Sequence, residues 1–197
     1  QQTAPEVADL SGVLTDNSFS WDLTFPGEPG VKGCVGDFNE DGIDDFILTG
    51  LYSEGETTKS FLRVYLCQSE GDPVLAYNNL EFTIGGNGAI DCYKKTDGSW
   101  IVAIQGGNLG NWTSPFTAAT YKLTVDGTTA NMELANNLDF GAGRGSILLL
   151  DVDGDDMPDI FQNGWVANAD WTDQANLYLN DGDDWFMLQD ESGIVKA

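Results

Sequence analysis

The sequence predicts an all-β fold of four-stranded antiparallel sheets, of the type that forms the blades of a β-propeller, in about three repeats of ~57 residues. Three observations predict it. No segment keeps helical periodicity over the ~10 residues that a helix needs. Short apolar or alternating segments are separated by turns rich in Gly and Asp. Marker residues also recur 56 to 58 residues apart, and these are Leu23, Leu80 and Leu138, then Gly50, Gly106 and Gly164, then Tyr65, Tyr121 and Tyr178.

Each repeat has the pattern of four strands. A short strand precedes an acidic or turn-rich loop, and an apolar strand that ends in Gly follows; after a long loop come an alternating strand, a tight turn and a fourth strand. The tight turns, in residues 69–73, 125–128 and 180–184, each place a glycine where a hairpin needs positive φ. A β-sandwich is the alternative architecture, although a sandwich requires no internal period.

We expect residues 1–197 to form a single propeller-like domain. Its repeats are approximately 26–82, 83–140 and 141–197, with 1–25 as lead-in strands. Because propellers usually close with ~4 to 8 blades, three repeats are short by at least one. Two possibilities stay open: the chain is an arc of a larger ring, or it completes the ring by self-association.

The charge of the chain limits its partners. With 32 acids against 8 bases, the formal net charge is −24, which repels the phosphates of nucleic acids and anionic lipids alike. The longest apolar run, at 147–150, ends in an aspartate and is far shorter than the ~20 residues of a membrane span, so we expect no membrane insertion. Cations, or a neutral or basic ligand, are the expected partners.

The cysteines say little about function. Cys34, Cys67 and Cys92 are an odd set without CxxC spacing, and each lies in an apolar, strand-like context. We expect all three to be buried as small apolar side chains, with one disulfide as the alternative.

Two acidic loops predict two calcium sites. Carboxylates, an amide or a main-chain carbonyl fall at alternate positions of each loop, and oxygens spaced in this way can converge on one hard cation that wants six to eight of them. Without a cation the crowded carboxylates would repel one another. The expected calcium ligands are Asp37, Asn39, Asp41, the Ile43 carbonyl and Asp45 in the first loop, and Asp151, Asp153, Asp155, the Met157 carbonyl and Asp159 in the second.

Other interpretations of these loops are weaker. Mg²⁺ resists losing its waters and needs fewer protein oxygens. A solvated acidic turn would not recur at the same place in two repeats. An EF-hand needs Glu at position 12, where this chain has Leu48 and Gln162. The middle repeat keeps Asp91 but has Tyr93 and Lys95 at the next ligand positions in a loop two residues longer, so we expect no metal there and a lysine ammonium in its place.

The stretch "LDFGAGRGSILLLDVDGDDMPDIFQNG", in which Phe140 and Gly141 precede the acidic run, resembles the FG-GAP repeats of integrin α-subunit propellers and the related VCBS repeats of bacterial secreted proteins. The resemblance is strong in the first and third repeats and weak in the second. It implies that the acidic loop joins strands 1 and 2 of a blade and binds Ca²⁺. Asp156 stands where that family usually has a loop glycine, which implies a slightly weaker second site. The Gly-Ala-Pro element is absent, which favours the bacterial branch.

Aromatic side chains mark a possible ligand-binding face. The long loops after the three marker glycines are expected to lie opposite the metal loops, since successive strands run in opposite directions. They carry Tyr52, Trp112, Trp165 and Trp171. Exposed aromatics on loops held by a rigid scaffold suit the binding of protein or glycan, but the same residues could cap the ends of their own sheets.

Three function classes remain. The leading hypothesis is a calcium-binding extracellular module, secreted or on the cell surface of a bacterium, that binds protein or glycan, as the resemblance implies. The start of the chain lacks a signal-peptide pattern, so we expect any such segment to have been removed. The alternatives are the propeller part of a secreted polysaccharide-active enzyme and a passive assembly module. Catalysis is not favoured, because the chain has no histidine, no nucleophile elbow and no phosphate loop.

Overall fold

The computed structural model describes residues 31–54, 57–84, 86–107, 116–165, 173–182 and 186–188. Within these ranges every regular element is a β-strand, so the prediction of an all-β chain is confirmed. Over the same ranges there is no helix of the length and apolarity needed to cross a membrane.

The strands form three four-stranded antiparallel sheets. In each sheet the strands lie side by side in the order in which they occur along the chain. Sheet 1 contains β1 (Lys32–Gly36), β2 (Asp45–Glu54), β3 (Thr57–Leu66) and β4 (Val74–Asn79). Sheet 2 contains β5 (Gly86–Lys94), β6 (Trp100–Gly107), β7 (Thr117–Asp126) and β8 (Thr129–Asn137). Sheet 3 contains β9 (Ile147–Leu150), β10 (Asp159–Trp165), β11 (Asp173–Asn180) and β12 (Phe186–Leu188).

The turn between the third and fourth strand of each sheet depends on a glycine. Gly71, Gly127 and Gly182 have φ angles of 95°, 60° and 108°. An L-residue with a side chain is strained at these angles, whereas glycine is not. The prediction of positive φ at all three turns is therefore confirmed.

The second strand of sheet 2, β6, is buried on both faces. On β6, Val102 and Ile104 point into a cluster shared with sheet 1, while Ile101 and Ala103 point into a cluster shared with sheet 3. None of these four side chains is more than 3% exposed. This explains why β6 is a continuous apolar run: alternate residues face opposite sides, and both sides are covered. Each larger side chain buried in this way contributes about 1.5 to 3 kcal/mol.

The first strands of consecutive sheets lie next to one another, β1 against β5 and β5 against β9. Polar side chains connect the neighbours. The Asp91 carboxylate on β5 accepts a hydrogen bond from the Leu149 N–H on β9 at 2.8 Å, and the Gln105 amide donates to the Asn163 carbonyl at 3.0 Å. Hydrogen bonds as well as apolar contacts therefore join sheets 2 and 3.

All three cysteines are free thiols in this structure. Cys34 is buried, as expected, but Cys67 and Cys92 are only partly buried, so the expectation of full burial is wrong for these two. The reason is position: Cys67 follows the last residue of β3, and Cys92 lies on β5 where it packs at the border of the core cluster.

Candidate metal centre

Two loops of the same length join the first and second strands of sheets 1 and 3. Loop A is residues 37–44 and is closed by the strand pair Gly36 and Asp45. Loop B is residues 151–158 and is closed by the pair Leu150 and Asp159. The acidic residues predicted as ligands thus lie in two loops, or on the strand residue directly after each loop, at the same end of equivalent strand pairs.

The first acid of each loop holds the loop in a curl. In loop A, Asp37 accepts hydrogen bonds from the N–H groups of Asp41 at 3.0 Å and Gly42 at 2.9 Å. In loop B, Asp151 accepts from Asp155 at 3.2 Å and Asp156 at 3.0 Å. The fifth and sixth N–H groups of each loop therefore point at the carboxylate of its first residue.

The aspartate at the fifth position of each loop also accepts a hydrogen bond within the loop. Asp41 accepts from the Ile43 N–H at 2.9 Å, and Asp155 accepts from the Met157 N–H at 2.9 Å. In loop A the Asn39 amide donates to the second oxygen of Asp41 at 3.0 Å. The alternate oxygens that the sequence pattern singled out are thus tied into one small structure in each loop.

The two loops also share their backbone conformation. Positive φ occurs at the fourth and sixth positions of both, at Glu40 (62°) and Gly42 (85°) in loop A and at Gly154 (84°) and Asp156 (67°) in loop B. Loop A has its glycine at the sixth position, and loop B has its glycine at the fourth. The residue without glycine's freedom, Glu40 or Asp156, holds a conformation that costs an ordinary side chain about 1 to 2 kcal/mol.

The aspartate that begins the second strand, directly after each loop, is buried and anchors the loop to the third strand. Asp45 accepts hydrogen bonds from the N–H groups of Phe38 at 2.9 Å and Cys67 at 2.8 Å. Asp159 accepts the equivalent pair from Val152 at 2.8 Å and Asn180 at 2.9 Å. Both carboxylates are fully buried. Each is a structural centre of its loop, whether or not a cation is present.

The surroundings of two of these aspartates raise their pKa values. Burial raises the pKa of Asp45, and the N–H donors of Cys67 and Phe38 act in the opposite direction. Loss of hydration raises the pKa of Asp153, with further contributions from the negative charges of Asp155 and Asp159. A cation bound among these groups would relieve the repulsion.

Loop B brings three carboxylates together. Ligand oxygens of Asp151, Asp153 and Asp159 all lie within 4.8 Å of one another. Two oxygens on opposite sides of an ion at about 2.4 Å are separated by about that distance, so the three can contact one cation. In the part of the chain that the structure describes, this is the one cluster of three acidic, Cys or His side chains at such spacing. The Asp155 carboxylate lies outside it.

Loop A has a different donor set. Its third position is the amide of Asn39, and Asp37, Asp41 and Asp45 do not form a comparable carboxylate triad within the described residues. An open groove of about 470 Å³ lies beside this loop, lined by Asp41, Ile43, Gln68, Ser69 and Glu70. Glu70 is an acid that the loop pattern alone could not have pointed to.

The middle repeat differs from the prediction. Asp91 lies within β5, paired with Ala103, rather than at the start of a loop. The connection from β5 to β6 is the five-residue turn 95–99, shorter than loops A and B rather than longer. It is closed by its own backbone bonds, from Lys95 N–H to the Ser99 carbonyl at 2.8 Å and from Gly98 N–H to the Lys95 carbonyl at 2.9 Å.

Two consecutive lysines lie at this turn. The Lys95 ammonium lies 3.9 Å from Asp97 within the turn. Its neighbour Lys94 instead reaches into loop A and pairs with Glu40 at 2.9 Å. Trp100 lies beside this pair: the Lys94 ammonium is 6.0 Å from the centre of its ring, which packs edge-on against Phe38 of loop A with centroids 4.9 Å apart. Side chains of sheet 2 thus contact loop A of sheet 1.

The aromatic residues predicted as a binding face have different placements. Tyr52 lies in β2 opposite Lys59, because β2 continues to Glu54 and a short hairpin replaces the expected long loop. Trp165 is the last residue of β10 rather than a loop residue; it is 39% exposed, and the Arg144 guanidinium lies 5.2 Å from the centre of its ring. Trp112 and Trp171 lie outside the described residues.

Comparisons with known proteins do not identify a family. No protein-family model matches the chain, and searches of curated proteins and of solved structures found no match. The resemblance to FG-GAP and VCBS repeats therefore remains a prediction from the residues themselves.

Proposed function

We propose that the chain is a calcium-stabilised β-propeller module of the FG-GAP/VCBS type, which acts outside the cell by binding a protein or a glycan. The observation that carries the proposal is the common construction of loops A and B. Two segments more than a hundred residues apart in sequence share length, hydrogen-bond pattern and the positions of positive φ. Such agreement favours one shared ligand chemistry over two unrelated acidic turns.

The donor set fits calcium better than magnesium. Loop B offers carboxylates from Asp151, Asp153 and Asp159, and backbone carbonyls of the loop can add further oxygens. Ca²⁺ accepts six to eight oxygens in flexible geometry, whereas Mg²⁺ prefers an octahedral shell that keeps several waters. The cation would neutralise the repulsion among the acids and fix the connection between the first two strands.

The sheet arrangement supports the propeller. Three antiparallel sheets pack face to face with their first strands adjacent, which is how blades surround a propeller axis. A two-layered sandwich would leave one face of each sheet in solvent, whereas both faces of β6 are buried. Further blades, or a second copy, would complete the ring.

The proposed extracellular location matches the calcium affinity that such modules usually have. Extracellular calcium modules typically bind with Kd values of about 10⁻⁴ to 10⁻³ M, which suits calcium levels outside cells.

Trp165, partly exposed and stacked near Arg144, is the described residue that best suits contact with a ligand such as a sugar ring.

Calcium titration tests the first part of the proposal. After calcium has been removed with a chelator and the chelator dialysed away, titration calorimetry should detect calcium binding. Asp153→Asn should weaken calcium binding at the loop B site at least tenfold. Asp126→Asn is the matched control, because it removes one exposed acid from the end of β7 and leaves both loops intact. Equal affinity in the two variants, or no binding at millimolar calcium, would contradict the proposal.

A glycan array and pull-down from extracellular material test the second part. We expect a ligand whose affinity falls in Trp165→Ala while the melting temperature stays within a few degrees of the parent. Unchanged affinity together with a lowered melting temperature would assign Trp165 to packing and remove it from the binding face.

A further inference from the structure

We propose that Cys34 and Cys92 form a reversible disulfide that crosslinks sheet 1 to sheet 2. The two residues lie on β1 and β5, the neighbouring first strands of these sheets. Nothing in the calcium proposal requires this bond, so the two can succeed or fail separately.

The geometry brings the two thiols together. Cys34 is buried in the core cluster between sheets 1 and 2, and Cys92 packs against the same cluster. The Cys92 sulfur lies 3.6 Å from the carbonyl oxygen of Val35, the residue next to Cys34. A disulfide needs an S–S distance of about 2.05 Å and α-carbons about 4.4 to 6.8 Å apart, so the proposal requires β1 and β5 to hold Cys34 and Cys92 within that range.

The ionisation of Cys34 is consistent with this contact. Its pKa lies well above the usual value, first because of the neighbouring Cys92 thiol and then because of burial. The third thiol has different surroundings: burial and the acids Asp45, Asp41 and Asp44 raise the pKa of Cys67. Cys67 therefore serves as an internal control without a thiol partner of this kind.

The difference in burial sets the order of the reaction. Cys92 is partly exposed and can meet a small disulfide such as oxidised glutathione, whereas Cys34 is buried. The Cys92 thiolate attacks the small disulfide, forms a mixed disulfide and releases one thiolate. The Cys34 sulfur then attacks the Cys92 sulfur, and its proton passes to the departing glutathione sulfur, which leaves as the second thiol. Overall, two protein thiols are oxidised and one small disulfide is reduced to two thiols.

The test uses the whole reduced chain, incubated with oxidised glutathione and then alkylated and digested without reductant. We expect a single crosslinked peptide pair containing Cys34 and Cys92, an alkylated Cys67, and a melting temperature raised by roughly 5 to 15 °C, since the bond closes a long loop. In Cys34→Ser, Cys92 should stop at the mixed disulfide with glutathione. Cys67→Ser should behave like the parent.

Other results would overturn the proposal. These are three free thiols after oxidation, a crosslink that includes Cys67, or a lasting glutathione adduct on Cys92 in the parent chain. Oxidation in denaturant provides the folding control, because there all three pairings should appear. If the native and the denatured chains gave the same mixture, the folded structure would not be selecting the pair.

Discussion

The buried carboxylate of Asp45 accepts a hydrogen bond from the backbone N–H of Cys67, 22 residues further along the chain, at 2.8 Å. Asp159 and Asn180 repeat this relationship in sheet 3 at 2.9 Å. In both sheets, one side chain at the start of the second strand fixes the end of the third strand and the loop before it. These two aspartates therefore differ in kind from the exposed acids beside them.

Replacement of a buried anchor should destabilise the fold even without calcium. Asp45→Asn or Asp159→Asn places an amide NH₂ against a backbone donor, and we expect the free energy of unfolding in chelator to fall by about 2 to 4 kcal/mol. Asp41→Asn, at an exposed position, should cost less than about 1 kcal/mol under the same conditions. Urea unfolding followed by circular dichroism measures both. Similar losses in all three variants would mean that burial does not distinguish these acids.

Calcium should stabilise the folded chain by mass action. With a Kd of about 10⁻⁴ M, 10 mM calcium contributes about 2.7 kcal/mol per site, which raises the melting temperature by about 5 to 10 °C. A thermal melt with calcium, with magnesium and with chelator measures this. An identical melting temperature in all three conditions would leave the acidic loops without a cation role.

The loop positions with positive φ make opposite predictions for glycine gained and glycine lost. Glu40→Gly and Asp156→Gly should each stabilise the chain by up to about 1 kcal/mol, because they remove left-handed strain. Gly42→Ala should destabilise it by about 1 kcal/mol, and conformation alone would be the cause, since a β-carbon there meets no atom within 4 Å. Stabilisation by Gly42→Ala would contradict the shared backbone conformation.

The ion pair between Glu40 and Lys94 should couple sheets 1 and 2 only weakly. Its side chains are 62% and 41% exposed, so solvent and salt screen the 2.9 Å contact. A double-mutant cycle with alanine at both positions should give a coupling of less than about 1 kcal/mol that shrinks further in 1 M salt. A larger coupling energy that does not change with salt would contradict the prediction that solvent screens this pair.

Alkaline pH should weaken the fold through buried tyrosine. Burial raises the pKa of Tyr178 to about 12, above its ordinary value of about 10. The unfolded chain therefore loses this proton first, so the stability contributed by neutral Tyr178 is complete below pH 10 and is lost as the pH rises to 12.

Tyr178→Phe isolates this contribution. It should flatten the alkaline loss and change the stability at pH 7 by less than about 1 kcal/mol, because the hydroxyl finds no hydrogen-bond partner among the described residues. Tyr121, whose pKa burial also raises to about 12, should keep part of the alkaline loss in the variant. Chemical unfolding across pH 8 to 12 measures the difference; an unchanged slope in the variant would contradict the assignment.

The strand pattern and the tight turns could be predicted from sequence because their causes are local. Alternation of apolar residues and a glycine at each hairpin act over a few positions. The curl of loops A and B is also local, since every bond that shapes it joins residues no more than seven apart. The acid spacing could therefore point to residues that these local bonds bring together.

The contacts between distant segments could not be predicted in this way. Asp91 looked equivalent to Asp37 because both are acids, but strand pairing places Tyr93 opposite Ile101, so β5 continues past Asp91. The bond from Asp45 to Cys67 and the contact of Cys92 with β1 depend on which strands become neighbours. Such register is decided by packing across the whole sheet, which no short motif contains.

The burial of β6 on both faces has a consequence for how the chain comes apart. If sheet 2 were separated from its neighbours, apolar side chains on both faces of β6 would be exposed to water. We therefore expect that sheet 2 does not stay folded alone. Unfolding of sheet 1 or sheet 3 would expose one apolar face of β6. The described sheets should therefore melt together in a single cooperative step rather than one after another.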